Sequence, residues 1–369
     1  MINFKSSALL CALLAAGCMV ASAQKSFKFD RVNLLSGKQK EFVFPAQLEP
    51  IGATDTYKFE GTNNTINMLP ERMNLGKGNG INTQSDPAKY TMEVYYTMKP
   101  KFSKGFEEQK AKYDGDPQAG VCIRTEYAVG VACKIKDAAG NVLVNFSLID
   151  SSQVQKKYVA YNEKFKSFSV TDKSSALKWG TEERAGKYFA EHAASIQSAA
   201  ANYRLDYVGT RLAHYVQLFL VGDKYGKLQY TAVGKKVQAS YPAETALSNE
   251  AAQLYTAWLQ DINSGKLNPQ LTALSARFAA LNIEGKSTDY KYFVYTNAAL
   301  LAAMGQDLAK AHEYGVLADK NDPNAWKPSV SNTIYGVYRM YQLRKLLAER
   351  SAPDAFIDLA GGAANVYNQ

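Results

Sequence analysis

One change of rhythm constrains the fold of this chain more than any other feature. Hydrophobicity alternates with a period near two up to about residue 172, then recurs every three to four residues from about Ser174 onward. Alternation is the mark of half-buried strands, whose successive side chains point to opposite faces. Phe27 and Phe29, then Phe42, Val43 and Phe44 ahead of Pro45, then Tyr57 and Phe59, mark short early strands. Residues 90–98 hold Val94, Tyr95 and Tyr96, all of high strand propensity. Segments 122–136 and 142–148 alternate on either side of Asp137-Ala138-Ala139-Gly140-Asn141, which predicts a hairpin, and 158–170 adds another strand or two. Asp114-Gly115-Asp116-Pro117 and Gly76-Lys77-Gly78-Asn79-Gly80 supply dense turn chemistry.

Beyond Ser174 the spacing of Val208, Leu212, Tyr215 or Val216, and Phe219 is helical. Further helices are expected over 243–262, ending at Ser264-Gly265, and from Asn268-Pro269, carrying Leu271, Leu274, Phe278 and Leu281. A pair over 288–305 and 307–320 turns around Gly305, and two more helices are expected near 328–349 and 353–367, the last opened by Pro353-Asp354. Residues 226–241 read as a β-hairpin interrupting the helices. The expected class is α+β: an antiparallel β-sandwich or open sheet over 24–172, then an all-α domain of stacked helical hairpins over 173–369.

Residues 1–23 read as a cleavable export signal: Lys5, an apolar run from Ala8 to Ala16, and Ala21-Ser22-Ala23 ahead of Gln24. Its style resembles the export signals of Gram-negative bacteria, Bacteroidetes in particular. Ala15-Ala16-Gly17-Cys18 offers an alternative, a lipobox whose cleavage leaves a lipid-anchored Cys18. Cleavage after Ala23 leaves 346 of the 369 residues, enough for two domains. No later apolar run reaches the roughly 20 residues of a spanning helix.

The formal charge of +9 includes Lys5, so a mature chain carries one less. Lysines gather at Lys99/Lys101/Lys104, Lys156/Lys157/Lys164/Lys166 and Lys235/Lys236, the second set among Tyr158, Tyr161, Phe165 and Phe168. A polyanion-facing surface and a solvated strand face over packed aromatics both fit this pattern; nucleic acid does not suit an exported protein. Outside the leader, which holds Cys11 and Cys18, stand Cys122 and Cys133. On one strand eleven steps of ~3.3 Å separate them by about 36 Å, against the ~7 Å a disulfide tolerates. Opposite parity also puts them on opposite faces. Free thiols are expected unless the chain turns back near Gly130.

Residues 292–325 resemble a tetratricopeptide repeat. Tyr295 stands at that family's usual Trp position, Ala299 at the small-residue position, Ala311 and Ala318 at the tight alanines of the second helix, and Pro323 closes the unit. Asn324-Ala325-Trp326 is similar to the opening of a following repeat. Gly315 departs from the pattern where an aromatic is usual, with Tyr314 one residue early, and Pro328 interrupts the next unit. The resemblance implies stacked helix pairs and binding of protein or peptide. A generic helical hairpin is the alternative.

Catalytic patterns are weak. The 280–287 segment fits a relaxed phosphate loop but has one glycine, Gly285, and follows a helix, so Gly285 is read as a helix C-cap. Ser175 and Lys178 have Ser-x-x-Lys spacing, and Tyr295-Thr296-Asn297 imitates a partner motif, but no Lys-Thr-Gly follows; Ser174 reads as an N-cap instead. His192, His214 and His312 lack metal-ligand spacing. Glu182, Glu183 and Glu191 are candidates for paired carboxylates in glycan hydrolysis, but Glu182 and Glu183 point about 100° apart on a helix and do not form a ready dyad. Asp114 and Asp116 have too few oxygen neighbours for calcium. No catalytic, cofactor or metal residue is therefore assigned. With 24 tyrosines among its aromatics, the chain suits sugar or peptide contacts as well as sheet packing. The expectation is an exported, periplasmic or outer-membrane-associated envelope protein that binds or scaffolds a protein or glycan. An envelope hydrolase acting on glycan or peptidoglycan and a lipoprotein serving a secretion or uptake machine are the alternatives.

Overall fold

A computed structural model describes residues 26–35, 41–48, 57–61, 88–113, 116, 119–323 and 329–360. The expected leader with Cys11 and Cys18, the expected 76–80 turn, Asp114 and the 324–326 segment lie outside the described residues. The protein is a mixed α and β structure, as expected. Strands β1 (Phe29–Asn33), β2 (Phe42–Phe44), β3 (Tyr57–Gly61), β4 (Tyr90–Gln109), β5 (Gly120–Asp137), β6 (Val142–Ile149), β7 (Gln155–Asn162) and β8 (Ser167–Thr171) precede helix α1 (Glu182–Val216). Then come β9 (Asp223–Tyr225), β10 (Gln229–Val233), α2 (Pro242–Gln260), α3 (Asn268–Ala279), α4 (Thr288–Met304), α5 (Leu308–Lys320), α6 (Ser329–Glu349) and β11 (Phe356–Ile357). No helix among the described residues is long and apolar enough to cross a membrane.

Two compact units are each built from separate stretches of chain: Met1–Phe42 with Lys224–Gln342, and Val43–Asp223 with Leu343–Gln369. The expected boundary at 172/173 marks the change from strand to helix, whereas compactness keeps α1 with β3 to β8.

In the unit formed by Val43–Asp223 and Leu343–Gln369, the sheet runs β11-β6-β5-β4-β3, and β7 and β8 branch from β5. The long β4–β5 ladder is its spine. The other edge of β5 is shared: Val131–Lys136 pair with β6 and Arg124–Tyr127 pair with β7. At Gly130 an added Cβ would lie 2.9 Å from the Met98 backbone nitrogen, where β4 slips register between Tyr96 and Lys101. Only glycine lets the two backbones approach there. Cys122 and Cys133 both lie on β5, buried and unbridged.

Helix α1 forms where Thr181 caps it, its hydroxyl accepting from the Arg184 N–H at 3.3 Å, with Glu182 and Glu183 in the first turn. Ser174, the expected cap, instead belongs to a 3₁₀ turn over Lys173–Ser175. Ala185, Phe189 and Ile196 of α1 pack on Ile123 and Val159 of the sheet. Burying each large member stabilises the fold by about 1.5–3 kcal/mol. The described part of the expected 353–367 helix is a turn followed by β11, parallel to β6. Tertiary bonds override its Pro353-Asp354 start signal: Asn145 Nδ2 donates to the Asp354 carbonyl at 3.3 Å, and the Ala360 N–H donates to Ser147 Oγ at 2.8 Å.

In the unit formed by Met1–Phe42 and Lys224–Gln342, β1 pairs antiparallel with β10, Phe29 opposite Val233. The hairpin expected over 226–241 is therefore replaced, since the partner of β10 is the distant β1. Phe27 packs 4.9 Å from Tyr241, 4.9 Å from Tyr290 and 5.1 Å from Phe293. Asn297 of α4 ties this core together: its Nδ2 donates to the carbonyl and hydroxyl of Thr231, both at 2.9 Å, and its Oδ1 accepts from the Tyr255 hydroxyl at 3.2 Å. Helices α4 and α5 are joined by residues 305–307 and capped by Ser287 and Asp307. Gly285 is not the C-cap of α3, which ends at Ala279; it sits at φ +66° in the turn leading to Ser287.

Candidate functional site

An open groove of about 980 Å³ lies between the β7–β8 hairpin and α1. The hairpin wall follows from strand register. Tyr161 and Phe168 are cross-strand partners, so their side chains share one face, and the rings sit 5.1 Å apart at 61°. Asn162 builds the turn beyond them, its Oδ1 accepting from the backbone N–H groups of Lys164 and Phe165 at 3.1 and 3.2 Å. Lys166 closes the turn at φ +47°, an αL conformation seldom taken by a lysine. Its ammonium meets Glu163 at 2.9 Å in an exposed pair at the groove mouth.

The facing wall comes from α1, which leaves helical geometry at His192 (φ −120°, ψ 15°). Tyr188 and His192, one turn apart, face the same side. The His192 ring lies 4.6 Å from Tyr188 and 5.1 Å from Phe168, and Phe168 lies 6.1 Å from Tyr188. Trp179 backs Tyr188 at 5.0 Å. Beyond the kink the wall continues as Ser195, Ser198, Ala199 and Asn202, small or polar residues at three- and four-residue intervals. Burial, then the Tyr161 hydroxyl and the Glu163 and Glu191 carboxylates, hold the Tyr188 phenol above its ordinary range. At neutral pH it is an uncharged hydroxyl on an apolar ring. The floor is thus aromatic and the rim polar.

The motifs weighed in the sequence fall elsewhere. Lys178 Nζ donates to the carbonyls of Ser174 and Ala176, both at 3.2 Å, and so braces a turn. Asn297, the end of the imitation motif, lies in the other unit and is fully buried. Glu183 pairs with Lys187 at 3.0 Å on the helix surface. Asp116 Oδ2 accepts from the Lys112 N–H at 2.9 Å. His214 lies tilted beside Tyr215 at 5.6 Å and His312 tilted beside Tyr338 at 6.1 Å, leaving His192 as the histidine of the groove. Among the described residues no group of three or more His, Cys, Asp or Glu is placed to hold a metal ion.

Three of the lysines at 156–166 have acidic neighbours: Lys157 meets Asp172 at 2.7 Å, Lys166 meets Glu163 at 2.9 Å in an exposed pair, and Lys156 lies 3.9 Å from Glu126. This favours the solvated-face reading over a polyanion surface. Tyr161 and Phe168, noted in the sequence beside those lysines, do reach the groove. Tyr188, Ser195, Ser198 and Asn202 were not singled out. Their signal was the helical spacing of half-polar residues running on from Tyr188 and His192. Comparison with protein-family models and with curated proteins finds no match.

Proposed function

We propose that this chain is an exported protein of the bacterial cell envelope that binds another envelope component, protein or glycan, and leaves it chemically unchanged. The groove between the β7–β8 hairpin and α1 carries the reading. It joins half-buried rings to a row of small polar side chains, the composition of a binding site. Glu163 is the one carboxylate among the described residues lining it, and Lys166 holds it in an ion pair. Glycan hydrolysis ordinarily needs two opposed carboxyl groups, so binding is the better use of this surface. Periplasmic or outer-membrane-associated placement, with lipid at Cys18 as a variant, follows from the leader reading.

We read α4, α5 and α6 as stacked helical hairpins of tetratricopeptide type, a second surface suited to scaffolding. Ala299, Ala311 and Ala318 are buried, as that family's tight packing requires. The departure at Gly315 has a local compensation: the Tyr335 ring lies 3.4 Å from where a Cβ at Gly315 would be, filling the space an aromatic there would occupy.

A photo-cross-linking residue at position 198, introduced in the native cell, tests the binding role. The expected result is an adduct with an envelope component, formed by protein whose leader has been removed and lost on Tyr188→Ala. Uncleaved protein in the cytosol, or no adduct from position 198, contradicts the proposal.

A further inference from the structure

Resting on the groove as a ligand site, we infer that its ligand is an uncharged oligosaccharide, held by the aromatic floor and the hydroxyl and amide rim. Three observations separate this class from others. The first is ring geometry. Tyr161 and Phe168 meet at 61°, Phe168 and Tyr188 at 68°, and Tyr188 and His192 at 60°. None of these contacting pairs is parallel, Phe168 and His192 at 42° included, so a flat heteroaromatic ligand finds no slot between them. A pyranose needs one ring only: its C–H face lies on the aromatic surface while its hydroxyls project away from it. Half-buried rings turned toward each other offer several such single platforms around a corner.

The second observation is charge. The two charged residues of the lining, Glu163 and Lys166, neutralise one another at 2.9 Å. Neither an anionic nor a cationic ligand gains a fixed counter-charge from them. Charge complementarity therefore selects a neutral ligand, despite the basic character of the whole chain.

The third is the rim. Ser195, Ser198 and Asn202 run along one face of α1 for seven residues, about 10 Å at ~1.5 Å per residue. Asn202 Nδ2 already meets Ser198 Oγ at 3.5 Å, a long contact that a ligand hydroxyl in either position would improve. The row outruns a single ring, and the volume of about 980 Å³ lies at the upper end of small-ligand sites, near ~1,000 Å³. Both favour a short chain of sugars over a monosaccharide. One wall is a helix whose backbone groups bond within it; the other is β8, which among the described residues pairs with β7 alone, so a peptide adding to that edge is the competing occupant that the cross-linking arm separates from a sugar.

Calorimetric titration of the leader-free protein tests the inference, with neutral cello-, malto- and chito-hexaoses as probes and an oligogalacturonate as the charged control. At least one neutral hexaose is expected to bind, with the galacturonate weaker by about tenfold or more. Tyr188→Ala is expected to weaken binding by about tenfold, and Tyr188→Phe to keep it within about threefold. Ser198→Trp, which fills the rim from an exposed helix position, is expected to abolish binding with an unchanged melting temperature. That variant guards against misfolding as the cause of loss. Binding of none of the neutral hexaoses, preference for the galacturonate, or indifference to Ser198→Trp overturns the inference. If position 198 cross-links a polypeptide while the hexaoses fail, the groove stands as a binding site and the sugar assignment falls.

Discussion

The hydroxyl of Tyr215, buried on α1, donates to the carbonyl of Leu359 at 3.1 Å, joining residues 144 positions apart. Around this bond the segment after α6 is fastened to the sheet: Ser147 Oγ to Asp358 at 2.6 Å and Gln153 Nε2 to the Ala360 carbonyl at 2.8 Å. The segment thereby covers the β6 edge as a parallel strand, a position that would otherwise present unpaired backbone groups. Tyr215→Phe removes one buried hydrogen bond with little change in packing. It is expected to lower stability by about 1 kcal/mol in urea unfolding. A neutral result would mean that the Leu359 carbonyl is satisfied without it.

Asn297 illustrates a costlier position. Removing its amide leaves the Thr231 carbonyl without that donor and the Tyr255 hydroxyl without that acceptor, inside a core where both are buried. Asn297→Ala is expected to destabilise the unit containing it by about 2–3 kcal/mol. Thermal unfolding followed by near-ultraviolet dichroism checks this through the tyrosines packed there.

Gly130→Ala tests the crowding at the β4 irregularity. A methyl group there meets the Thr97 side chain and the Met98 backbone, neither of which is the far end of a flexible chain. A loss of about 1–3 kcal/mol is expected. Gly140→Ala should behave differently, because its Cβ would meet nothing within 4 Å and only its φ of +84° opposes the change.

Legibility in the sequence tracked the range of the interactions involved. The alternation across β5 and β6 and the Asp137–Asn141 hairpin were readable because strand period and turn chemistry are local. So were α2, α3, α4 and α5, read from helical spacing together with Ser264-Gly265, Asn268-Pro269 and Gly305; the Ser287 and Asp307 caps came to light only in the structure. Residues 353–360, the described part of the expected 353–367 helix, depart from expectation because Asn145 and Ser147, more than 200 residues earlier, decide their backbone partners. The cap of α1 was misplaced from Thr181 to Ser174 because both residue types suit that position, and burial of Trp179 and Leu177 against the sheet selects the later one. The groove was half visible. Tyr161 and Phe168 stood out by composition, but their meeting with Tyr188 and His192 depends on α1 crossing the hairpin, which no local pattern encodes.

Glu107 and Tyr158, which share a hydrogen bond, carry stability contributions of opposite pH dependence. The Lys173 ammonium at 2.5 Å and then the Tyr158 hydroxyl at 2.8 Å hold the Glu107 carboxyl below its ordinary range. A carboxyl depressed on folding contributes stability above its unfolded pKa of about 4.3 and loses it as pH falls through the folded value. Burial first, then the bond to Glu107, pushes the Tyr158 phenol up to about 12. Its contribution is complete below the unfolded value of about 10 and is lost as pH rises toward the folded one. Glu107 is 35% exposed at its side chain, so water screens the acid effect and keeps it small. Melting temperature against pH should flatten at the acid end for Glu107→Gln and at the alkaline end for Tyr158→Phe. Curves parallel to the parent at both ends would contradict the coupling.

The proposed binding role of the groove is tested most directly by hydrogen–deuterium exchange of the chain without residues 1–23, alone and with a detergent extract of bacterial cell envelope. Slower exchange is expected in peptides covering 161–168 and 188–202, with 242–279 unchanged. Protection confined to 242–279, or exchange identical in the two samples, would contradict it.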